Sequence, residues 1–341
     1  MKATMRFVSD NNASICPEVL AALSEANRGL AAAYGNDPWT GRLNEVLGAF
    51  FGTEVRAFVV ATGTAANSLA LSVLSPPYGS IYCHPDAHIV TDECGAPGFF
   101  TSGAQLELLG GADGKLSAAT LTAALDAHPV SVHSVQPAVV SISQATELGT
   151  AYRPAELAAL CDVAHQRGLH VQMDGARFAN ALVYLGCHPG DVTWRVGVDV
   201  LCFGATKNGA LGAEAVVFFE PELVRDFELR RKRAGQLLSK SRYVSAQLLA
   251  YIESGVWRGN AERANALARR LAEAAGRRLL HPVEANEVFL ELGIDEKTSL
   301  RAAGFEFYDW GSPASGTVRL VASWDQDERH VEALCAALAA M

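Results

Sequence analysis

The chain has 341 residues, 28 basic and 37 acidic, a formal net charge of −9, and half of its residues are hydrophobic. That apolar share excludes a disordered chain, and no run approaches the ~18 consecutive apolar residues a membrane helix needs. The acidic balance argues against a nucleic-acid-binding surface, which would want clustered positive charge.

The opening MKATMRFVSDNN lacks the apolar core of a secretory signal, so a cytoplasmic globular protein is expected. Pro17 opens a predicted helix running to about Ala33, and a second spans Thr40 to Phe51, ended by Gly52. Arg56–Ala61 reads as a buried strand, followed by TGTAANSLALSVL, a glycine turn feeding a helix. Further strands are expected at Ser80–Cys83, Gln105–Leu108, Val135–Ile142, Leu169–Asp174, Asp199–Phe203 and Ala213–Phe219. Helices fit between them at Ala118–Ala127, Pro154–Gln166 and Arg177–Leu185. This alternation is the pattern of a mainly parallel α/β sheet covered by helices. After Pro221 a basic stretch, RDFELRRKRAGQLLSKSR, leads into Ser245–Glu253 and an Ala/Arg-rich helix at Asn260–Ala275. The remainder (Glu287–Leu292, Leu300–Phe307, Thr317–Val321, Glu328–Ala340) reads as a small C-terminal α+β domain. A boundary near residue 245 gives a large domain 1–245 and a small one 246–341, with segment 1–16 packing on the small one. Seven cysteines, odd in number and without a CxxC pair, read as reduced thiols rather than a zinc site or disulfides.

Three features stand at predicted strand ends, where open α/β folds build their sites. Thr62-Gly63-Thr64 enters a helix whose free amides and positive dipole end suit a phosphate, although a plain strand-to-helix turn would read the same. Asp174 is delivered to the last position of an apolar strand, with Arg177 one turn into the next helix. A carboxylate buried there needs a positive partner, whereas an exposed one would simply cap the helix. Lys207, flanked by small residues in FGATKNG, is either an exposed loop lysine or a buried amine whose lowered pKa would make it a nucleophile towards a carbonyl. A phosphate cradle, a carboxylate and a lysine together are the set that pyridoxal phosphate (PLP) requires.

The motifs extend this. SDN at Ser9–Asn11, YGNDPWT at Tyr34–Thr40, ATGTAAN at Ala61–Asn67 and AHIVTDECGAP at Ala87–Pro97 are followed by QMDGARFANAL at Gln172–Leu182, FGATKNG, RRKRAG at Arg230–Gly235 and TVRLVASW at Thr317–Trp324. In these stretches, spanning nearly its whole length, the chain resembles the low-specificity L-threonine aldolases and the similar L-phenylserine aldolases, PLP enzymes of fold-type I. The resemblance implies a fold-type I (aspartate aminotransferase-like) architecture and a small amino-acid substrate. It also implies a homotetramer, a dimer of dimers with active sites at the dimer interface. The implied reaction is reversible cleavage of L-threonine, L-allo-threonine or L-phenylserine to glycine and an aldehyde. Another fold-type I reaction (transamination or decarboxylation) and a PLP-binding protein without turnover are the alternatives.

Residue by residue, Lys207 matches the family's Schiff-base lysine, Asp174 the ring-nitrogen partner and Arg177 the residue near the cofactor's 3-oxygen. Gly63 and Thr64 match the phosphate turn, and His88 the histidine that stacks on the cofactor ring. Ser9 and Arg319 match residues holding the substrate carboxylate, with Asn11, Tyr34 and Arg177 also on the substrate side. Lys232 and Lys240 match residues near the phosphate, sometimes across a subunit interface. Many members carry Asn-Thr-His after the central strand, but here the run is Ser143-Gln144-Ala145-Thr146-Glu147, which puts Thr146 at the histidine's place. The base is therefore open among His88, His133 and a water held by Glu147, with Asp92 and Glu93 placed to orient a water or read the substrate's β-substituent.

Overall fold

The computed structural model describes residues 4–129, 131–312 and 315–341. Its strands are β1 (Met5–Arg6), β2 (Arg56–Val60), β3 (Gly79–Cys83), β4 (Gln105–Leu108), β5 (Gln136–Ser143), β6 (His170–Gly175), β7 (Val200–Gly204) and β8 (Glu214–Phe218), followed by β9 (Glu287–Glu291), β10 (Phe305–Glu306), β11 (Tyr308–Asp309) and β12 (Thr317–Val321). Strands β2 to β8 form one sheet in the order β2-β8-β7-β6-β5-β3-β4. Only β8 runs against its neighbours, so the sheet is mainly parallel, as the strand–helix alternation predicts.

Both faces of this sheet are covered, which is why its strands read as near-continuous apolar runs. Alternate residues divide between two cores. Val140, Ile142, Val171, Met173, Leu201 and Phe203 face one side, where Phe51, Phe178 and Tyr251 pack. Val60, Val139, Val200, Cys202 and Val216 face the other, against Ala66, Leu69 and Ala70 of the helix Gly63–Leu74.

After β8 the chain turns back. The helix Arg242–Glu253, which contains residue 245, packs on the helices Pro17–Ala26 and Pro38–Phe51. The long helix Val256–Ala275 then crosses to a third core with β9 and β12, joined by β11 in an antiparallel sheet ordered β11-β12-β9. β1 pairs with β10, so the N-terminal segment lies on this C-terminal layer.

Several helix boundaries differ from the expected ones: the Asn260–Ala275 helix begins at Val256 and the Ser245–Glu253 helix at Arg242, and two others differ for local reasons. The first helix stops at Ala26 rather than Ala33, because Asn27 closes it and Gly29 takes a φ of +68°. The second starts at Pro38, two residues early, because Asp37 caps it by accepting the Thr40 amide at 2.8 Å. Among the described residues no helix is long and apolar enough to cross a membrane.

Candidate active site

Strands β2, β3, β5, β6 and β7 end, and β8 begins, at one edge of the sheet, and the loops beyond them enclose a cavity of about 270 Å³. Gly63, His88, Glu147, Asp174, Lys207 and Glu214 line it, one from each of these six strand ends. The carboxyl edge of an open parallel sheet is where ligand sites form, because helix N-termini and loop side chains converge there.

Asp174 lies one residue inside the end of β6 and is 8 % exposed. Its Oδ1 accepts the Ala176 amide at 2.9 Å and its Oδ2 accepts Asn67 Nδ2 at 2.7 Å. Asn67 sits at the end of a buried polar chain. Ser141 donates to Gln172 (2.6 Å), Gln172 donates to Asn67 (3.1 Å), and Asn67 also donates to Glu93 (2.9 Å). Gly175 follows because the sheet leaves no room for more: a Cβ there would stand 2.7 Å from Leu201 Cδ1 and 2.8 Å from the Cys202 carbonyl.

Arg177 is not the cation that Asp174 needs, nor is it inside the next helix; it is the residue before that helix starts at Phe178. Its fork closes on Asp10 (Nε–Oδ2 2.8 Å, Nη2–Oδ1 2.9 Å) and its Nη1 lies 3.3 Å from Glu287. Burial opposes ionisation of Asp10, but the charges of Arg177 and Lys207 and hydrogen bonds from Arg177 and Asn286 prevail and hold its pKa at about 2. Among the described residues no arginine or lysine forms an ion pair with Asp174. A buried carboxylate so placed calls for a cation from a ligand.

Lys207 is half-buried in a 3₁₀ turn whose flanks are tied down. Asn208 donates to the Tyr251 hydroxyl (2.6 Å) and the Trp257 carbonyl (2.8 Å), and Thr206 donates to Glu214 (2.5 Å). Burial pushes Glu214 up to about 7 against the hydrogen bond from Thr206 and the Lys207 charge. On the opposite wall, Thr62 caps the helix Gly63–Leu74 by accepting the Ala65 amide at 3.1 Å, and the Thr62 carbonyl takes the Ala66 amide. The Gly63 and Thr64 amides are then the ones an anion would engage, and a Cβ built on Gly63 meets nothing within 4 Å. These residues fit pyridoxal phosphate: an amine for the aldehyde, a carboxylate lacking a cation for the ring nitrogen, and a roomy helix N-terminus for the phosphate.

His88 lines the cavity and its Nδ1 lies 2.9 Å from Glu93 Oε1. That hydrogen bond raises the His88 pKa, against its burial, while burial raises that of Glu93. Glu147 accepts Ser143 Oγ at 2.7 Å and the His88 amide at 2.9 Å, both on Oε1. Its burial, helped by the Asp174 charge, pushes its pKa up to about 7. Thr146, aligned with the family histidine by sequence, is outside the cavity lining; its hydroxyl bonds Thr150 Oγ1 (2.9 Å) and the Asp113 carbonyl (3.1 Å). Glu147 occupies the cavity position instead.

The remaining candidates are scattered. His133 is exposed before β5, at the opposite edge of the sheet, ~23 Å along the strand from Ser143. Asp92 is exposed and accepts Thr91 Oγ1 at 2.8 Å, outside the cavity. Asn11 lines the cavity, and Ser9 turns its hydroxyl to the Asn11 amide (3.1 Å). Arg319 stacks near Tyr308 and Trp310 and reaches Glu287 at 3.6 Å, behind Arg177. Tyr34 and Lys232 meet each other, Nζ 5.0 Å from the ring centre, beside a separate surface cavity. Reading the sequence alone gives no role to Asp10 and Asn67, although both lie in quoted motifs, and passes over Glu214 and Glu287, since the partners of all four come from distant segments.

The family model described as beta-eliminating lyase matches residues 6–294. The chain is 46% identical over 335 residues, 97% of its length and 96% of the relative's, to a low specificity L-threonine aldolase of Pseudomonas aeruginosa. It is 44% identical over 343 residues, 99% of its length and 98% of the other's, to a protein of the same name from a Pseudomonas species. Among solved structures it matches a threonine aldolase of Leishmania major with a TM-score of 0.90 and 27% identity, covering 98% of each chain.

Proposed function

Because the chain belongs to the low-specificity L-threonine aldolase family of fold-type I PLP enzymes, we propose that it cleaves L-β-hydroxy-α-amino acids such as L-threonine, L-allo-threonine and L-phenylserine, reversibly, to glycine and an aldehyde. The observation that supports this most is one cavity joining Lys207, a cation-free Asp174 and the N-terminus of the helix Gly63–Leu74. Bound there, PLP supplies an electron sink for the pair released at the substrate's Cα.

The chain's own residues do the rest. Lys207 would hold the cofactor aldehyde, Asp174 would keep the ring nitrogen protonated, the Gly63 and Thr64 amides would take the phosphate, and His88 would lie against the ring. Arg177, held in place by Asp10, would draw the substrate carboxylate by its charge, together with Arg319, Ser9 and Asn11. Pinning the carboxylate would fix the orientation of the bonds at the substrate's Cα and so favour breaking Cα–Cβ over loss of CO₂. Tyr34 and Lys232 lie outside this cavity, and in the proposed cytoplasmic homotetramer they complete the site of a neighbouring subunit.

Incubating the reconstituted protein separately with L-threonine, L-allo-threonine and L-threo-phenylserine tests the reading. Glycine and the matching aldehyde in equal amounts are expected, with the three rates ranking the substrates. Keto acid or CO₂ in place of aldehyde would overturn it.

A further inference from the structure

We propose that Glu147 is the catalytic residue that takes the substrate's β-hydroxyl proton; this role rests on the aldolase reading above. Both protein donors to this carboxylate, Ser143 Oγ at 2.7 Å and the His88 amide at 2.9 Å, fall on Oε1. No hydrogen bond from another described residue reaches Oε2. The group is therefore fixed through one oxygen, leaving the other to accept a proton. It lines the same cavity as Lys207 and Asp174, on the loop after β5, next to the strand that carries Asp174.

The other candidates are engaged or remote. The Nδ1 of His88 is engaged by Glu93, and the bond between them raises the histidine's pKa. His133 is at the far edge of the sheet, Asp92 is outside the cavity, and Thr146 bonds Thr150 and Asp113. Glu147 is also poised by its surroundings. Burial, with Asp174 facing it, brings its carboxyl to about 7, where a group both accepts and releases a proton near neutrality.

In the step itself the β-hydroxyl O–H bond breaks and its proton passes to Glu147 Oε2. The electron pair of that bond forms the carbonyl of the departing aldehyde as the Cα–Cβ bond breaks. The Cα–Cβ pair stays with Cα, where a proton taken from solvent completes glycine. Glu147 returns its proton to water or, in the synthetic direction, to the new hydroxyl.

Removal of the α-proton of glycine does not involve the β-hydroxyl, which separates this role from a structural one. In E147Q, L-threonine cleavage is expected to fall ~10²-fold or more. Glycine affinity, read from the change in the cofactor's visible band, and glycine α-proton exchange in D₂O are expected to stay within about threefold. E147H, which puts another proton acceptor at the site, is expected to recover at least tenfold over E147Q. Cleavage by E147Q within about threefold of the wild type overturns the proposal. So does a parallel loss of exchange and cleavage. If E147Q fails to fold, Ser143→Ala, which removes one donor aiming the carboxylate, is expected to slow cleavage several-fold and leave exchange unchanged, and equal effects on both overturn the proposal. A wild-type protein that releases no aldehyde would instead count against the aldolase reading.

Discussion

At the scale of single residues, the arginines near the cavity are held by Asp10 and Glu287, the latter shared between Arg177 and Arg319. Arg177 is held by Asp10, which is 2 % exposed, and by Glu287, so Asp174 is left for the cofactor. Asp10 ionises more readily in the fold than in the unfolded chain, with a pKa of about 2 against 3.8. Its charged form therefore contributes about 2 kcal/mol to folding, present in full above pH ~4 and lost as pH falls through about 2. Asp10→Asn is expected to destabilise the holoenzyme at pH 7 by at least that much, since it also strands a buried guanidinium. Denaturant titrations at pH 7 and pH 3 check this: the gap between the proteins should narrow at the lower pH, and a constant gap would mean that charge is not the cause. Lys207 and Asp174 were legible in the sequence because each closes an apolar strand beside small residues. Asp10 and Glu287 were not, because an ion pair between the two ends of a chain has no local pattern. The one-residue difference between Thr146 and Glu147 was hidden for a related reason. A tight turn has no periodicity from which to read which side chain points inward.

At the scale of elements, the strand ends and helix N-termini do the positioning. The seven strands of the main sheet were legible within one or two residues, since strands buried on both faces leave unbroken apolar runs between polar loops. The short helices His88–Thr91 and Ala96–Phe100 were not legible, being too brief to show a helical period. The first of these carries His88 into the cavity. The helix Gly63–Leu74 shows how one cap serves both fold and site. Thr62→Ala removes the acceptor for the Ala65 amide and should cost about 1 kcal/mol of stability. Fraying of that first turn should also weaken PLP binding about fivefold, the equivalent of ~1 kcal/mol. Thermal melts and titration of apoprotein with PLP measure the two effects, and unchanged PLP affinity would remove this helix from the phosphate site.

At the scale of the whole molecule, Tyr34 and Lys232 match substrate- and phosphate-side positions yet sit together away from the cavity of their own chain. If a second copy supplies them, Lys207→Ala and Tyr34→Ala should each be inactive alone and complement when dissociated, mixed and reassembled. Random pairing makes half the dimers hybrid, each with one intact site of two, so about a quarter of wild-type activity should return. No recovery would confine each site to one chain. Whether Lys207 and Asp174 hold PLP for carbon–carbon cleavage is read by comparing wild type and Lys207→Ala. Both are reconstituted with PLP and supplied with L-threonine while the visible band and acetaldehyde are followed together. A protein-bound band and acetaldehyde matched by glycine are expected in the wild type, and no acetaldehyde in the variant. A variant that still releases acetaldehyde, or a wild type that binds PLP and releases none, would contradict this reading.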